Sequence, residues 1–182
     1  MRKVDVAIIG AGSAGLAARR EVAKLTDNWV VIDDGILGTT CARVGCMPSK
    51  VLIQSANDFA RRKKFEEQGI FGADKLTVDT DITMKHVRKL RDRFVRGVSS
   101  GMATWITEDN LIRKRAKFVD KNTLDLGDEK IWAKKIIIGT GSTPFIPPIL
   151  EEHKDFLLTT DFLFEQEPVS YTHLTLPTTP YV

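Results

Sequence analysis

Hydrophobic and polar positions along the chain fall into runs that read as alternating strands and helices. Val4 to Ile9 is a short apolar run broken by Asp5, and it ends in Gly10-Ala11-Gly12-Ser13-Ala14-Gly15. Leu16 to Leu25 follows, rich in Ala, Leu and Arg, residues that lose little on entering a helix. A second apolar run, Trp29-Val30-Val31-Ile32, closes on Asp33. Strand, glycine turn, helix and strand in this order predict a βαβ unit, hence a parallel pair with a right-handed crossover.

A loop from Asp34 to Met47 comes next, and Pro48 is predicted as the first residue of a helix running from Ser49 to about Glu67. A further helix is predicted from Thr83 to Met102, because Val87, Leu90, Phe94 and Val98 recur at three- and four-residue steps. The pattern then shortens. Leu111-Ile112, Ala116 to Val119 and Thr123 to Leu126 read as short strands, with turns at Asp120-Lys121-Asn122 and Gly127-Asp128. Ile136-Ile137-Ile138 reads as a strand that enters a second glycine turn, Gly139-Thr140-Gly141-Ser142. Pro144, Pro147 and Pro148 predict irregular chain just beyond, and Thr160 to Glu167 a short helix. There is no internal repeat. The fold class expected is α/β: a Rossmann-like domain with a parallel sheet and a small antiparallel strand insertion.

Composition adds limits. With 182 residues, 42% hydrophobic and 28% charged, the chain has the balance of a globular domain. Surface scaling gives about 8,800 Å² folded against about 29,600 Å² unfolded, enough burial for a real core. No apolar run reaches the ~20 residues of a membrane-spanning helix. Met1-Arg2-Lys3-Val4-Asp5 enters a strand at once without an export signal, so a cytoplasmic location is expected. The net charge of +3 asks for neither a nucleic-acid nor a membrane partner. Lys85, Arg88, Lys89, Arg91, Arg93 and Arg96, and the run Arg61-Arg62-Lys63-Lys64, read as solvated helix faces.

The end of the chain differs from the rest. Val169 to Val182 holds none of the 27 basic and 24 acidic residues, contains both tyrosines, and is broken by Pro177 and Pro180. The expected organisation is therefore a domain over 1–168 and a non-domain tail over 169–182, foreign or frame-shifted in origin.

Candidate chemistry sits in two places. Gly10 to Gly15 is a dinucleotide fingerprint in its required context, after a strand, opening a helix, with Asp33 following 23 positions after Gly10. Gly10 permits the tight turn, Gly12 lets backbone approach a pyrophosphate, and Gly15 allows close packing of helix on strand. The pyrophosphate would lie over the helix N-terminus, and Asp33 would accept from a ribose hydroxyl. These residues alone suit NAD as well as FAD. Cys41 and Cys46 lie five apart. In a regular helix that spacing puts Cα atoms about 8.6 Å apart, against about 4.4–6.8 Å for a disulfide. A bridge therefore needs irregular chain, which Gly45 and Pro48 favour, and closing so short a ring suits redox turnover better than structure. Two unrelated thiols are the alternative. No metal site is expected, since His86, His153 and His173 show no matching spacing.

Gly38-Thr39-Thr40-Cys41-Ala42-Arg43-Val44-Gly45-Cys46-Met47-Pro48-Ser49-Lys50 resembles the active-site segment of the class I pyridine nucleotide-disulfide oxidoreductases. That family includes dihydrolipoyl dehydrogenases, glutathione reductases and mercuric reductases. The fingerprint, the strand around Ala116-Lys117-Phe118 and the Ile136 to Pro144 segment match it in the same order, over residues 4 to 168. Pro48-Ser49-Lys50 leans away from glutathione reductase and towards dihydrolipoyl dehydrogenase, an ending that mercuric reductases share.

The resemblance implies a flavoenzyme that oxidises dihydrolipoamide with NAD⁺ through a Cys41–Cys46 disulfide and FAD. It implies that Cys41 is the sulfur exchanging with substrate, and Cys46 the charge-transfer thiolate beside the flavin. Gly10, Gly12, Ser13, Ala14 and Gly15 would hold the FAD pyrophosphate, with Asp33 and Asp34 towards the adenosine ribose. Thr39 and Thr40 would lie along the flavin side, Lys50 near the flavin N5, and Ala116 against adenine. Thr140, Gly141 and Ser142 would form a second turn on FAD. Thr39 stands where the family has a second glycine, and Arg43 where it has asparagine. Members of the family are far longer, with NAD and dimer-interface domains and a His–Glu acid-base pair. The expectation is a truncated FAD-binding part of a homodimeric parent, inactive alone, its alternatives another disulfide reductase or an FAD-binding module without turnover.

Overall fold

The computed structural model describes residues 1–107 and 109–167. Two compact units emerge, one from Met1–Arg43 and Arg93–Phe145, the other from Val44–Asp92 and the described residues after Phe145. The uncharged tail lies outside the described residues.

The first unit is built on a six-stranded sheet in the order β3-β2-β1-β6-β5-β4. Its strands are β1 (Arg2–Ile9), β2 (Trp29–Ile32), β3 (Leu111–Ile112), β4 (Lys117–Phe118), β5 (Thr123–Asp125) and β6 (Lys130–Ile138). β1 pairs in parallel with β2 and β6, and β2 with β3. β4 and β5 run antiparallel, as the small insertion predicted from the sequence. The crossover from β1 to β2 is α1 (Ser13–Val22), which ends with Arg19 and Arg20, cations that suit the negative end of a helix dipole.

Two apolar clusters make the core of this unit. One joins Val4, Ala7, Val30 and Ile32 to Ile112, Leu124, Ile131 and Ala133. The other joins Ile8, Val31 and Trp29 to Val22 of α1 and Met102. All four residues of β2 are buried, so it reads as a continuous apolar run rather than an alternating one. Each such side chain contributes about 1.5–3 kcal/mol when fully buried. Arg19 also lies over the rings of Trp29 and Trp105, 4.9 and 4.6 Å from their centroids.

The second unit contains α3 (Cys46–Ala60), the first half of α4 (Thr80–Ala103) and several 3₁₀ turns. Its core is small: Met84, Val87 and Phe164, flanked by Val51, Leu52 and Leu163. Arg88 ties the segment after Leu163 to α4, donating to the Gln166 carbonyl at 3.1 Å and pairing with Glu167 at 2.8 Å. Phe71, Ile149 and Phe156 of this unit are 80% or more exposed.

Several elements depart from the sequence expectation. α1 stops at Val22 rather than Leu25, because the Lys24 and Leu25 N–H groups close a tight turn onto Glu21 and Val22. A short helix, α2 (Thr40–Arg43), occupies what reads as loop. α3 begins at Cys46, two residues before Pro48, and gives way to 3₁₀ turns after Ala60. β6 begins at Lys130, six residues before the apolar run, because its backbone pairs with β1 from Arg2 onward whatever side chains it carries. The prolines do not forbid regular structure: a 3₁₀ helix opens at Pro148, where the missing N–H has no partner to lose. The helix expected over Thr160 to Glu167 is reduced to a 3₁₀ turn at Leu163–Glu165. Among the described residues, no helix is long and apolar enough to cross a membrane.

Candidate functional site

β1, β2, β3 and β6 run parallel, so their carboxyl ends share one edge: Ile9 pairs with Ile32 and Ile138, and Ile32 with Ile112. After β2 and β3 build outward on one side of β1, the chain returns to place β6 on the other. The β1/β6 boundary is therefore a switch point, the place where open α/β sheets bind ligands.

The glycine turn sits there. Gly10 has φ +106°, and a Cβ on it would stand 2.2 Å from the Gly139 carbonyl oxygen. A Cβ on Gly15 would stand 1.8 Å from the Gly10 carbonyl oxygen. Both positions are closed to any side chain by backbone. Gly139 donates its N–H to the Ile9 carbonyl at 2.7 Å, which draws the two glycine turns together. Thr140, Gly141 and Ser142 follow as exposed chain, with Gly141 at φ +71°.

Gly12 is different. Its φ is −77°, which any residue adopts, and nothing lies within 4 Å of where its Cβ would be. As N-cap of α1 it offers no side-chain acceptor to the first-turn N–H groups, and no acid stands in that turn. Ser13 and Ala14 are exposed beside it. An anionic group that accepts several N–H donors and approaches bare backbone fits this cradle, which is the requirement of a dinucleotide pyrophosphate.

Asp33, at the end of β2, accepts from the Ala11 N–H at 2.5 Å with one oxygen and from the Gly35 N–H at 2.7 Å with the other. It thus braces the glycine turn itself. Arg113, just after β3, lies 3.5 Å from Asp33 and donates to the Gly35 carbonyl. Sequence reasoning missed Arg113, since only the lateral order of β2 and β3 brings it to Asp33. Asp34 is exposed, and Ala116 is half-buried against the core between β3 and β4.

The cysteine segment divides between the units. Cys41 lies in α2 of the first unit and is half-buried; Cys46 opens α3 of the second and is exposed; both are thiols in the structure. Thr39 is 8% exposed, and its hydroxyl accepts from the Ala42 N–H of its own turn at 3.2 Å. Thr40 is exposed on the first unit, and Lys50 is exposed on α3. Among the described residues, no group of three His, Cys, Asp or Glu side chains is arranged to hold a metal ion.

Comparison with known proteins shows what the chain is similar to. The family described as pyridine nucleotide-disulphide oxidoreductase matches residues 4–172. A dihydrolipoyl dehydrogenase of Trypanosoma brucei brucei is 32% identical over 155 residues, covering 80% of this chain and 32% of that protein. One of Staphylococcus aureus is 29% identical over 171 residues, covering 91% of this chain and 36% of its own. A glutathione reductase of a Nostoc strain is 29% identical over 147 residues, covering 80% and 31%. The chain thus spans about a third of the length of the curated relatives it matches. In fold, it resembles a copper(II) complex of the HOCl-induced flavoprotein disulfide reductase RclA of Escherichia coli, with TM-score 0.60 and 22% identity over 79% of this chain and 29% of that one. The family match runs over most of the chain, and the chain belongs to the pyridine nucleotide-disulphide oxidoreductase family.

Proposed function

We propose that this chain is the FAD-binding, cysteine-bearing domain of an enzyme that oxidises dihydrolipoamide with NAD⁺. The observation that carries the proposal is the open cradle at Gly12, above an uncapped helix N-terminus and beside two interlocked glycine turns. Gly10 to Gly15 would receive the FAD pyrophosphate on backbone N–H groups, Asp33 and Asp34 the ribose hydroxyls, and Ala116 the adenine. Thr39, Thr40, Lys50 and the Thr140–Ser142 turn belong to the same proposal at the flavin end. FAD, when bound, supplies a two-electron acceptor for the cysteine dithiol.

The chain's own chemistry is thiol–disulfide exchange. A substrate thiolate attacks Cys41 of a Cys41–Cys46 disulfide and expels the Cys46 sulfur. The second substrate thiol then displaces Cys41, closing the substrate disulfide. Two electrons and two protons leave the dithiol, and two cysteine thiols are formed. The half-burial of Cys41 and exposure of Cys46 are each compatible with redox use. The similarity to a Nostoc glutathione reductase keeps a different disulfide substrate as the second reading.

The NAD⁺ site, a homodimeric assembly, a cytoplasmic place and a domain boundary before Val169 belong to the same proposal. So does low turnover by these 182 residues alone, since a positioned general base is worth about 10²–10⁴-fold in rate. Titration with FAD, followed by flavin fluorescence, tests the binding reading. Gly12→Val should keep the fold and weaken FAD at least about tenfold, because its side chain enters the pyrophosphate cradle. Tighter binding of NAD⁺ than of FAD, or a Gly12→Val protein that binds FAD unchanged, would sink the proposal.

A further inference from the structure

Thr39 alone among the described non-glycine residues has φ in the left-handed region, at 63°. It follows Gly38 at φ +112°, where a Cβ would come 2.8 Å from Val95 Cγ1. Two successive residues of positive φ thus lead into α2. Glycine adopts such a backbone freely, but a β-branched threonine crowds its own carbonyl there, and such a residue persists only where its surroundings hold it.

The surroundings are local and buried. The Thr39 hydroxyl accepts from the Ala42 N–H at 3.2 Å, and its carbonyl accepts from the Arg43 N–H at 3.0 Å. Ala42 is fully buried and Thr39 is 8% exposed. Cys41 therefore sits between two fixed points, two residues after Thr39 and directly before Ala42. Glycine at position 39 would remove the strain and also the hydroxyl that closes the turn.

We infer that Thr39 is a positioning residue for the Cys41 sulfur: its hydroxyl closes the α2 turn and keeps Cys41 half-buried in a single orientation. The inference rests on the reading of Cys41 as the sulfur that meets substrate. It makes Thr39 a brace of the thiol turn, where the cysteine motif by itself suggests a flavin contact.

The test is alkylation of the reduced protein by iodoacetamide, with each cysteine followed separately. Trypsin cuts after Arg43, so Cys41 and Cys46 fall in different peptides. Thr39→Gly should speed alkylation of Cys41 at least about threefold while Cys46 stays within about twofold, because only the α2 turn loosens. Its thermal midpoint should hold or rise, since the strain is relieved. Thr39→Ser keeps the hydroxyl and should leave Cys41 within about twofold of wild type. A Thr39→Gly protein whose two cysteines accelerate together, or whose Cys41 rate matches wild type, would overturn the inference. So would a Thr39→Ser protein as fast as Thr39→Gly. The alkylation needs no flavin, so a failure to bind FAD would strike the proposed function and leave this result readable.

Discussion

Replacing Gly15 by alanine tests the contact on which the geometry of the glycine turn depends. The new Cβ would stand 1.8 Å from the Gly10 carbonyl oxygen and 2.9 Å from its carbon, where real Cβ contacts stay beyond 3.0 Å. To clear the oxygen, α1 must retreat from the end of β1 by about 1.2 Å, and the obstacle is backbone that cannot rotate aside. Overpacking of this kind costs about 3 kcal/mol. Alanine returns about 1 kcal/mol as the better helix former, leaving a net loss of about 2 kcal/mol. For a chain of this size, that lowers the thermal midpoint by about 4–8 °C. A displacement of about 1 Å at the N–H groups facing a ligand should also weaken FAD by about tenfold or more. Circular dichroism melts and flavin titrations read the two effects. Gly12→Ala is the control: its Cβ meets nothing within 4 Å, so its midpoint should move by less than about 2–4 °C. A Gly15→Ala protein that melts with wild type, or above it, would refute the close approach.

Asp33→Asn should destabilise by about 1–3 kcal/mol and weaken FAD, because an amide NH₂ would face either the Ala11 or the Gly35 N–H; unchanged melting would remove the bracing role. Asp5 is hydrogen-bonded by Lys134 and by Thr26, and these bonds hold its carboxyl below its ordinary 3.8. A depressed native pKa contributes stability above the ordinary value and loses it as pH falls through the depressed one. The midpoint should therefore be level above about pH 5 and drop below about pH 4, and Asp5→Asn should shrink that drop; an identical acid limb in the variant would contradict the pairing. In the flavin-loaded, reduced protein, Cys46→Ser should abolish any long-wavelength charge-transfer band and Cys41→Ser should retain one; absorbance spectra that show the reverse would exchange the two roles.

Much of this fold is legible in the sequence because its signals are local. The run Trp29 to Ile32, the glycines at 10, 12 and 15, and the periodic apolar face of α4 each state their element within a few residues. The cysteine segment is legible for a related reason, since the family resemblance rests on particular residues at a fixed spacing. Where the prediction departs from the structure, hydrogen bonds decide the outcome, some to partners distant in sequence and some within a single turn. Lys134 and Lys135 interrupt the apolar pattern, yet β6 forms through them because β1 supplies a backbone ladder along its length. The end of α1 and the 3₁₀ helix at Pro148 depend on hydrogen bonds that composition does not announce.

The sequence by itself determined that a βαβ unit with a glycine turn precedes a cysteine pair. Tertiary structure decided how that turn is held. Gly10 must be glycine because Gly139 arrives against it from a strand more than a hundred residues later, and Asp33 meets Arg113 only because β3 lies beside β2. The left-handed backbone of Thr39 is equally invisible along the chain: a threonine takes that conformation only where the bonds it makes in a buried turn outweigh its own steric preference.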